Sequence, residues 1–264
     1  MYNFNYHRPS SVADAAKLLS SASEGKLLAG GQTLLPTIKQ RLNKPSDLID
    51  LGGIKDLNTV KVEGGKVVIG ALTRHADVAG SDAVRKAIAA LASLAGAIGD
   101  PAVRNRGTIG GSLANSDPAA DYPAAVLGLG ATIHTNSRTI AADDYFKGLF
   151  ETALNPGEII TAVSFPVPEK AGYAKFPNPA SRYAMVGVFV AKGPAGVRVA
   201  VTGAGACAFR QKAMEAALAK NWSAAALDGI KTSADELNSD IHGSAEYRAH
   251  LIGVMAKRAV AAAG

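Results

Sequence analysis

The stretch "GTIGGSLANSDPAAD" at residues 107–121 decides the reading of this chain, together with an earlier counterpart, "LLAGGQTLLP" at residues 27–36. Each sets an adjacent glycine pair beside hydroxyl and amide side chains. Without a Cβ, glycine lets backbone N–H groups turn toward a ligand, and it tolerates positive φ. A row of such amides makes an anion-binding concavity suited to a pyrophosphate. In the first motif the candidates are the amides of Gly30, Gly31, Gln32 and Thr33, helped by the Thr33 hydroxyl. In the second, Thr108, Gly110, Gly111, Ser112 and Asn115 offer the same chemistry. Neither motif is followed by the Gly-Lys-Ser/Thr of a Walker A loop, and neither is GxGxxG. Alone, each reads as a tight turn between packed elements. Together they suit one ligand with two polar stretches, and a dinucleotide has that shape.

The rest of the sequence narrows what that ligand does. A chain of 264 residues, 48% apolar and 19% charged, spans one to two domains with a real core. The first residues, "MYNFNYHRPS", lack the regions of a signal peptide. No apolar run approaches the roughly 18 residues of a membrane span, so the cytoplasm is the expected location. One cysteine, Cys207, excludes internal disulfides, a Cys-ligated zinc and an iron–sulfur cluster held by this chain alone. The five histidines show no HxxxH or HExxH spacing, so no metal site is expected. Redox chemistry here would need an organic cofactor. The net charge is +6, but no basic stripe is interleaved with aromatics, which make up only 6% of the residues. Nucleic acid is therefore not the expected partner. The charge reads as a solvated surface or, second, as a field for a phosphate cofactor or acidic partner.

Periodicity places the motifs. Residues 10–22 carry helical spacing behind a serine cap. "KLLAG" reads as a buried strand entering the first glycine turn, and "DLIDL" (47–51) as another. "VKV" and "VVIG" form a hairpin around Gly64 and Gly65. A long helix is expected over 82–98, ended by "DPAVRNRG". "YPAAVLGLGATIHT" suggests a helix and then a strand, and 157–168 a strand stopping in prolines. Four prolines at 166–180 mark the expected domain boundary. Beyond it come two or three antiparallel strands and alanine-rich helices. Within them, Gly203-x-Gly205-x-x-Ala208, with Asp228 beyond, matches a dinucleotide fingerprint on paper. Too little chain follows for the usual two mononucleotide halves, and the turn equally leads out of an antiparallel strand.

The paired motifs, in the setting "AGGQTLLPTIKQRL" and "IGDPAVRNRGTIGGSLANSDPAADYPAAVLGLGA", resemble the FAD-binding medium subunit of the molybdenum hydroxylases, the xanthine dehydrogenase and carbon monoxide dehydrogenase family. The likeness spans nearly the whole chain. It implies an α+β chain: a vanillyl-alcohol-oxidase-type (PCMH-type) FAD-binding fold of two α/β subdomains, plus a C-terminal antiparallel sheet with helices. The domains implied are 1–170, with subdomains of about 1–55 and 56–170, and 171–264. Both glycine motifs would hold the FAD diphosphate and ribityl region, through Leu28, Ala29, Gly30, Gly31, Gln32, Thr33 and Leu34 and through Thr108, Gly110, Gly111, Ser112 and Asn115.

The resemblance adds single positions. Asp121 matches an acidic residue that contacts the cofactor, though a helix N-cap before "YPAAVLG" is an alternative or additional role. Ile160 matches an aliphatic position near the FAD, or is an ordinary strand core residue. Lys175 in "YAKF" matches a lysine near the cofactor, or is an exposed strand lysine. Tyr183 corresponds to an aromatic over the isoalloxazine in some relatives, although "ASRYAMVG" departs from the usual "GDYA" pattern. Ile98 falls near a flavin-side position but reads better as core.

The function implied is electron transfer. Iron–sulfur clusters of the 2Fe–2S type on a small subunit would deliver electrons from a large molybdopterin-binding subunit to FAD here. The acceptor would be NAD, a quinone or O₂. No catalytic residue and no metal ligand is expected on this chain. Two other readings are a self-sufficient FAD-dependent oxidoreductase and a noncatalytic NAD- or nucleotide-binding module using the 203–208 turn.

Overall fold

The computed structural model describes residues 1–194 and 196–264. At the N-terminus, β1 (Asn5–His7), α1 (Val12–Ser21), β2 (Gly25–Leu28), α2 (Leu34–Lys39) and β3 (Asp47–Asp50) follow in order. The three strands form a parallel sheet in the order β1-β3-β2. Parallel neighbours need helical crossovers, and α1 and the α2 segment supply them. Ser11, the second serine of the pair at 10–11, caps α1 by accepting from the Asp14 amide. β2 ends at Leu28, so the first glycine motif leaves the C-terminal end of a parallel strand and runs into α2.

The second unit holds β4 (Val60–Glu63), β5 (Lys66–Gly70), α3 (His75–Gly80), α4 (Asp82–Ala87), α5 (Ala89–Gly96), α6 (Pro101–Arg104), α7 (Ile109–Asn115), α8 (Tyr122–Leu129), β6 (Thr132–Thr135), β7 (Thr139–Ala141), α9 (Ala142–Tyr145), β8 (Phe146–Gly148), β9 (Glu151–Thr152) and β10 (Ile160–Pro166). Its five-stranded antiparallel sheet runs β4-β5-β10-β6-β7. The expected hairpin is β4–β5, with Gly64 and Gly65 both at positive φ. The single helix expected over 82–98 is two. Ile88 takes φ −145 and ψ 75, closes α4 through its amide and opens α5 through its carbonyl. Its side chain is 2% exposed, so burying it is compatible with the break, and the apolar spacing carries across. "DPAVRNRG" does end that run but starts α6, with Asp100 as cap and a proline in the first turn.

The last unit contains β11 (Lys170–Pro177), β12 (Ala184–Gly193), β13 (Gly196–Thr202), β14 (Phe209–Arg210), α10 (Lys212–Lys220) and α11 (Ala245–Ala262). The strands form one antiparallel sheet in chain order, with α10 and α11 sharing a core with β12 and β13. Three strands, β12 to β14, lie where two or three were expected, and β11 adds a fourth within the proline-marked segment. It is an edge strand, where Pro177 costs no ladder bond in the sheet interior. The fingerprint-like 203–208 turn leads from β13 to β14, strand to antiparallel strand, so it opens no helix N-terminus for a pyrophosphate and the nucleotide-module reading of that turn fails.

α8 joins the second and third units. All eight of its residues are buried, which suits an all-apolar sequence packed on every side. Gly128 allows the crossing: a Cβ there would lie 2.7 Å from Cδ1 of Phe189 on β12.

Candidate functional site

The two glycine motifs meet. A Cβ on Gly30 would fall 2.2 Å from the Arg106 carbonyl oxygen and 2.7 Å from Gly107 Cα. A Cβ on Gly111 would stand 3.6 Å from that of Ala29. Gly30 is therefore glycine because the second motif's backbone lies against it, which corrects the expectation that its missing Cβ makes room for phosphate. Gly31 has φ +71 and makes the turn into α2.

Their backbone amides are in opposite states. Among the described residues, the amides of Gly30, Gly31, Gln32 and Thr33 donate to no protein acceptor. The second motif is not an open loop. Thr108 caps α7 by accepting from the Gly111 amide, while Ile109 donates to Thr73 O and Gly110 to Ala71 O. Ser112 donates to the Thr108 carbonyl. So the equal anion-binding role expected of the second motif's amides is not what the fold provides. What it leaves unbonded there are the half-buried side chains of Ser112 and Asn115. Gly110 is a packing glycine, whose Cβ would sit 2.6 Å from that of Ala71.

Ile160 begins β10 and is buried. The next residue, Thr161, accepts from the Ala71 amide, so Ile160 lies close to the support of Gly110. His75 sits behind the same motif. It is 5% exposed, donates its backbone amide to Gly107 O, and its Nδ1 has no partner among the described residues. Burial, with Arg104 second, lowers its pKa to about 4, so the ring is neutral.

Asp121, Lys175 and Tyr183 form a second cluster at the far end of this motif. Asp121 holds the N-cap position of α8 but does not cap it. Its Oδ1 instead lies 2.9 Å from Lys175 Nζ and accepts from the Tyr173 hydroxyl at 2.5 Å. Burial pushes the Asp121 carboxyl upward, against the opposing pull of Lys175. The Lys175 side chain is 8% exposed, so it is not a surface lysine. Tyr173 was missed in the sequence; as a neighbour two residues along β11 it shares Lys175's face. Tyr183 is 46% exposed and lines a cavity of about 250 Å³ with Asp117, Asn178, Asp240 and Arg248. Ile98 packs against the large core, as its spacing suggested.

Comparison with known proteins settles the class. The family described as the FAD binding domain in molybdopterin dehydrogenase matches residues 2–168. The CO dehydrogenase flavoprotein C-terminal domain matches residues 172–263. This chain belongs to the FAD-binding medium subunits of the molybdenum hydroxylases. It is 37% identical to the carbon monoxide dehydrogenase medium chain of Afipia carboxidovorans, over 98% of this chain and 96% of that one. It is 36% identical to the nicotine 6-hydroxylase medium subunit of Paenarthrobacter nicotinovorans, with the same coverage. The solved carbon monoxide dehydrogenase of Hydrogenophaga pseudoflava superposes with a TM-score of 0.90 at 37% identity, covering 99% of this chain and 97% of that one. The medium subunit is thus an FAD-dependent oxidoreductase component of a multi-subunit enzyme. No helix among the described residues is long and apolar enough to cross a membrane.

The residues fit FAD on the side of the first motif. Four consecutive amides without protein acceptors, in a turn set by Gly31, are the donor set that a diphosphate requires.

Proposed function

We propose that the two motifs form one clasp for FAD with divided labour. The unbonded amides of Gly30, Gly31, Gln32 and Thr33 take the diphosphate, while Leu28, Ala29 and Leu34 frame the loop. Thr108, Gly110 and Gly111 form the rigid wall behind it, and Ser112 and Asn115 offer side-chain bonds to the ribityl stretch. Asp121, Lys175, Ile160 and Tyr183 lie toward the ring end. When bound, FAD would supply reversible two-electron chemistry that can be filled one electron at a time. This chain's residues bind and orient it. In this reading the electrons come from 2Fe–2S clusters on a small partner subunit, filled by a large molybdopterin-binding subunit. They leave to NAD, a quinone or O₂, in the cytoplasm. The chain divides into a FAD-binding domain over 1–170, with subdomains of about 1–55 and 56–170, and a C-terminal domain over 171–264.

The observation that carries this reading is the row of four amides without acceptors beside a second motif locked against them. Purified full-length chain is expected to show flavin absorbance and to release FAD on denaturation. A colourless chain that takes up no added FAD would contradict it.

A further inference from the structure

Lys175 carries more than the neutralisation of Asp121. An ammonium group has three N–H donors. One meets Asp121 Oδ1 at 2.9 Å, one the Ala97 carbonyl at 2.8 Å, and one the Arg182 carbonyl at 3.0 Å. Two donors are spent on backbone carbonyls and the charge is paired with Asp121, so protein groups hold the Lys175 ammonium in place.

The third bond is the informative one. Residues 178–183 form a loop closed on itself: the Asn178 amide donates to Tyr183 O at 2.7 Å and the Arg182 amide to Asn178 O at 2.8 Å. The Asn178 side chain accepts from the amides of Ala180 and Ser181. Arg182 adopts φ 61, a conformation that an arginine holds only where its surroundings impose it. Among the described residues, the bond from Lys175 is the loop's one hydrogen bond to a side chain outside it. The next residue is Tyr183.

We propose that Lys175 is a positioning residue: it latches the 178–183 loop to the Ala97 carbonyl, beside Asp121 at the end of the second glycine motif, and so fixes where Tyr183 stands. This rests on the reading above only in placing the ring end of FAD beside Asp121. The latch itself does not depend on it.

A purely electrostatic role and a latch are separable. Asp121→Asn removes the negative partner, keeps a side-chain oxygen beside the ammonium, and leaves Lys175 its bonds to Ala97 and Arg182. Lys175→Met combined with Asp121→Asn leaves no buried charge at all, keeps an acceptor for Tyr173, and removes the latch. Each full-length variant would be examined in the assembled FAD-loaded complex by residue-resolved amide exchange and by chymotrypsin cleavage after Tyr183. Compared at equal FAD occupancy, the double variant is expected to show the amides of Arg182 and Tyr183 exchanging at least about tenfold faster, with accelerated cleavage. Its bound-flavin fluorescence should also change as Tyr183 loosens. Asp121→Asn alone is expected to keep wild-type exchange in the loop. Wild-type exchange and cleavage in the double variant would reduce Lys175 to a counter-ion and overturn the proposal. So would a loop loosened equally by Asp121→Asn, a variant that stays informative if the double one does not fold. Loss of FAD with the loop still protected would return Lys175 to the cofactor's contacts.

Discussion

His75 shows how one buried side chain ties the site to pH. Burial holds its ring neutral, with its pKa lowered from 6.5 to about 4. Below about pH 6.5 the unfolded chain takes up a proton that the folded chain refuses until about 4, so stability falls as acid is added across that window. The expected loss is roughly 3 kcal/mol once both forms are protonated. His75→Phe, which leaves no titrating group behind the second motif, is expected to flatten this limb in pH-dependent urea unfolding. An unchanged slope between pH 6.5 and 4 would refute the assignment. No sequence signal marks His75, because its burial comes from Gly107 and Tyr122 packing around it. Glycine pairs flanked by hydroxyls stand out because few structural roles call for that combination. The reason for Gly30 was hidden, since the backbone it avoids, at Arg106, is remote in sequence. The same holds for Lys175, whose three acceptors come from three separate segments.

At the scale of elements, the contact between the glycine motifs makes unequal demands on their glycines. Gly30→Ala drives a Cβ to 2.2 Å from the Arg106 carbonyl, and backbone must move on one side or the other. The expected cost is about 3 kcal/mol with loss of most bound FAD, read by thermal unfolding and flavin content. Gly111→Ala crowds the Thr108 hydroxyl, at 2.9 Å, inside a helix, and touches Ala29 Cβ at an ordinary 3.6 Å. There the helical preference for alanine offsets the weakened cap, so stability should stay within about 1 kcal/mol of wild type. Equal effects from the two would contradict the packing described. The same scale explains which elements the sequence disclosed. Elements with clean periodicity or turn chemistry, such as α1 and the β4–β5 hairpin, were legible, and so was the continuous apolar run of α8. β11 was hidden because Pro168 just before it and Pro177 at its end read as a linker. α7 was hidden because glycines in its first turn read as a loop, while the Thr108 cap that makes it a helix is a single bond.

Across the whole molecule, the C-terminal sheet is fastened to the cofactor-binding part by buried polar bonds as well as by α8. Arg198 on β13 is 6% exposed and donates to the Leu127 carbonyl at 2.6 Å and to Asp143 on α9. The Thr202 hydroxyl donates to the Ala120 carbonyl at 2.6 Å and lies 3.0 Å from the Pro118 carbonyl, holding the segment that leads to Asp121. Arg198→Met keeps the bulk but leaves Leu127 O without this donor. It is expected to cost about 2 kcal/mol, lowering Tm by roughly 5 °C. An unchanged Tm would mean that the joint rests on apolar packing alone. The account as a whole turns on which amides meet the cofactor, and residue-resolved amide exchange of the full-length chain with and without FAD tests that most directly. The amides of Gly30, Gly31, Gln32 and Thr33 should exchange fast without FAD and slow by on the order of a hundredfold with it, while Ile109 to Ser112 stay slow in both states. Stoichiometric FAD binding with unchanged exchange at Gly30 to Thr33 would contradict it.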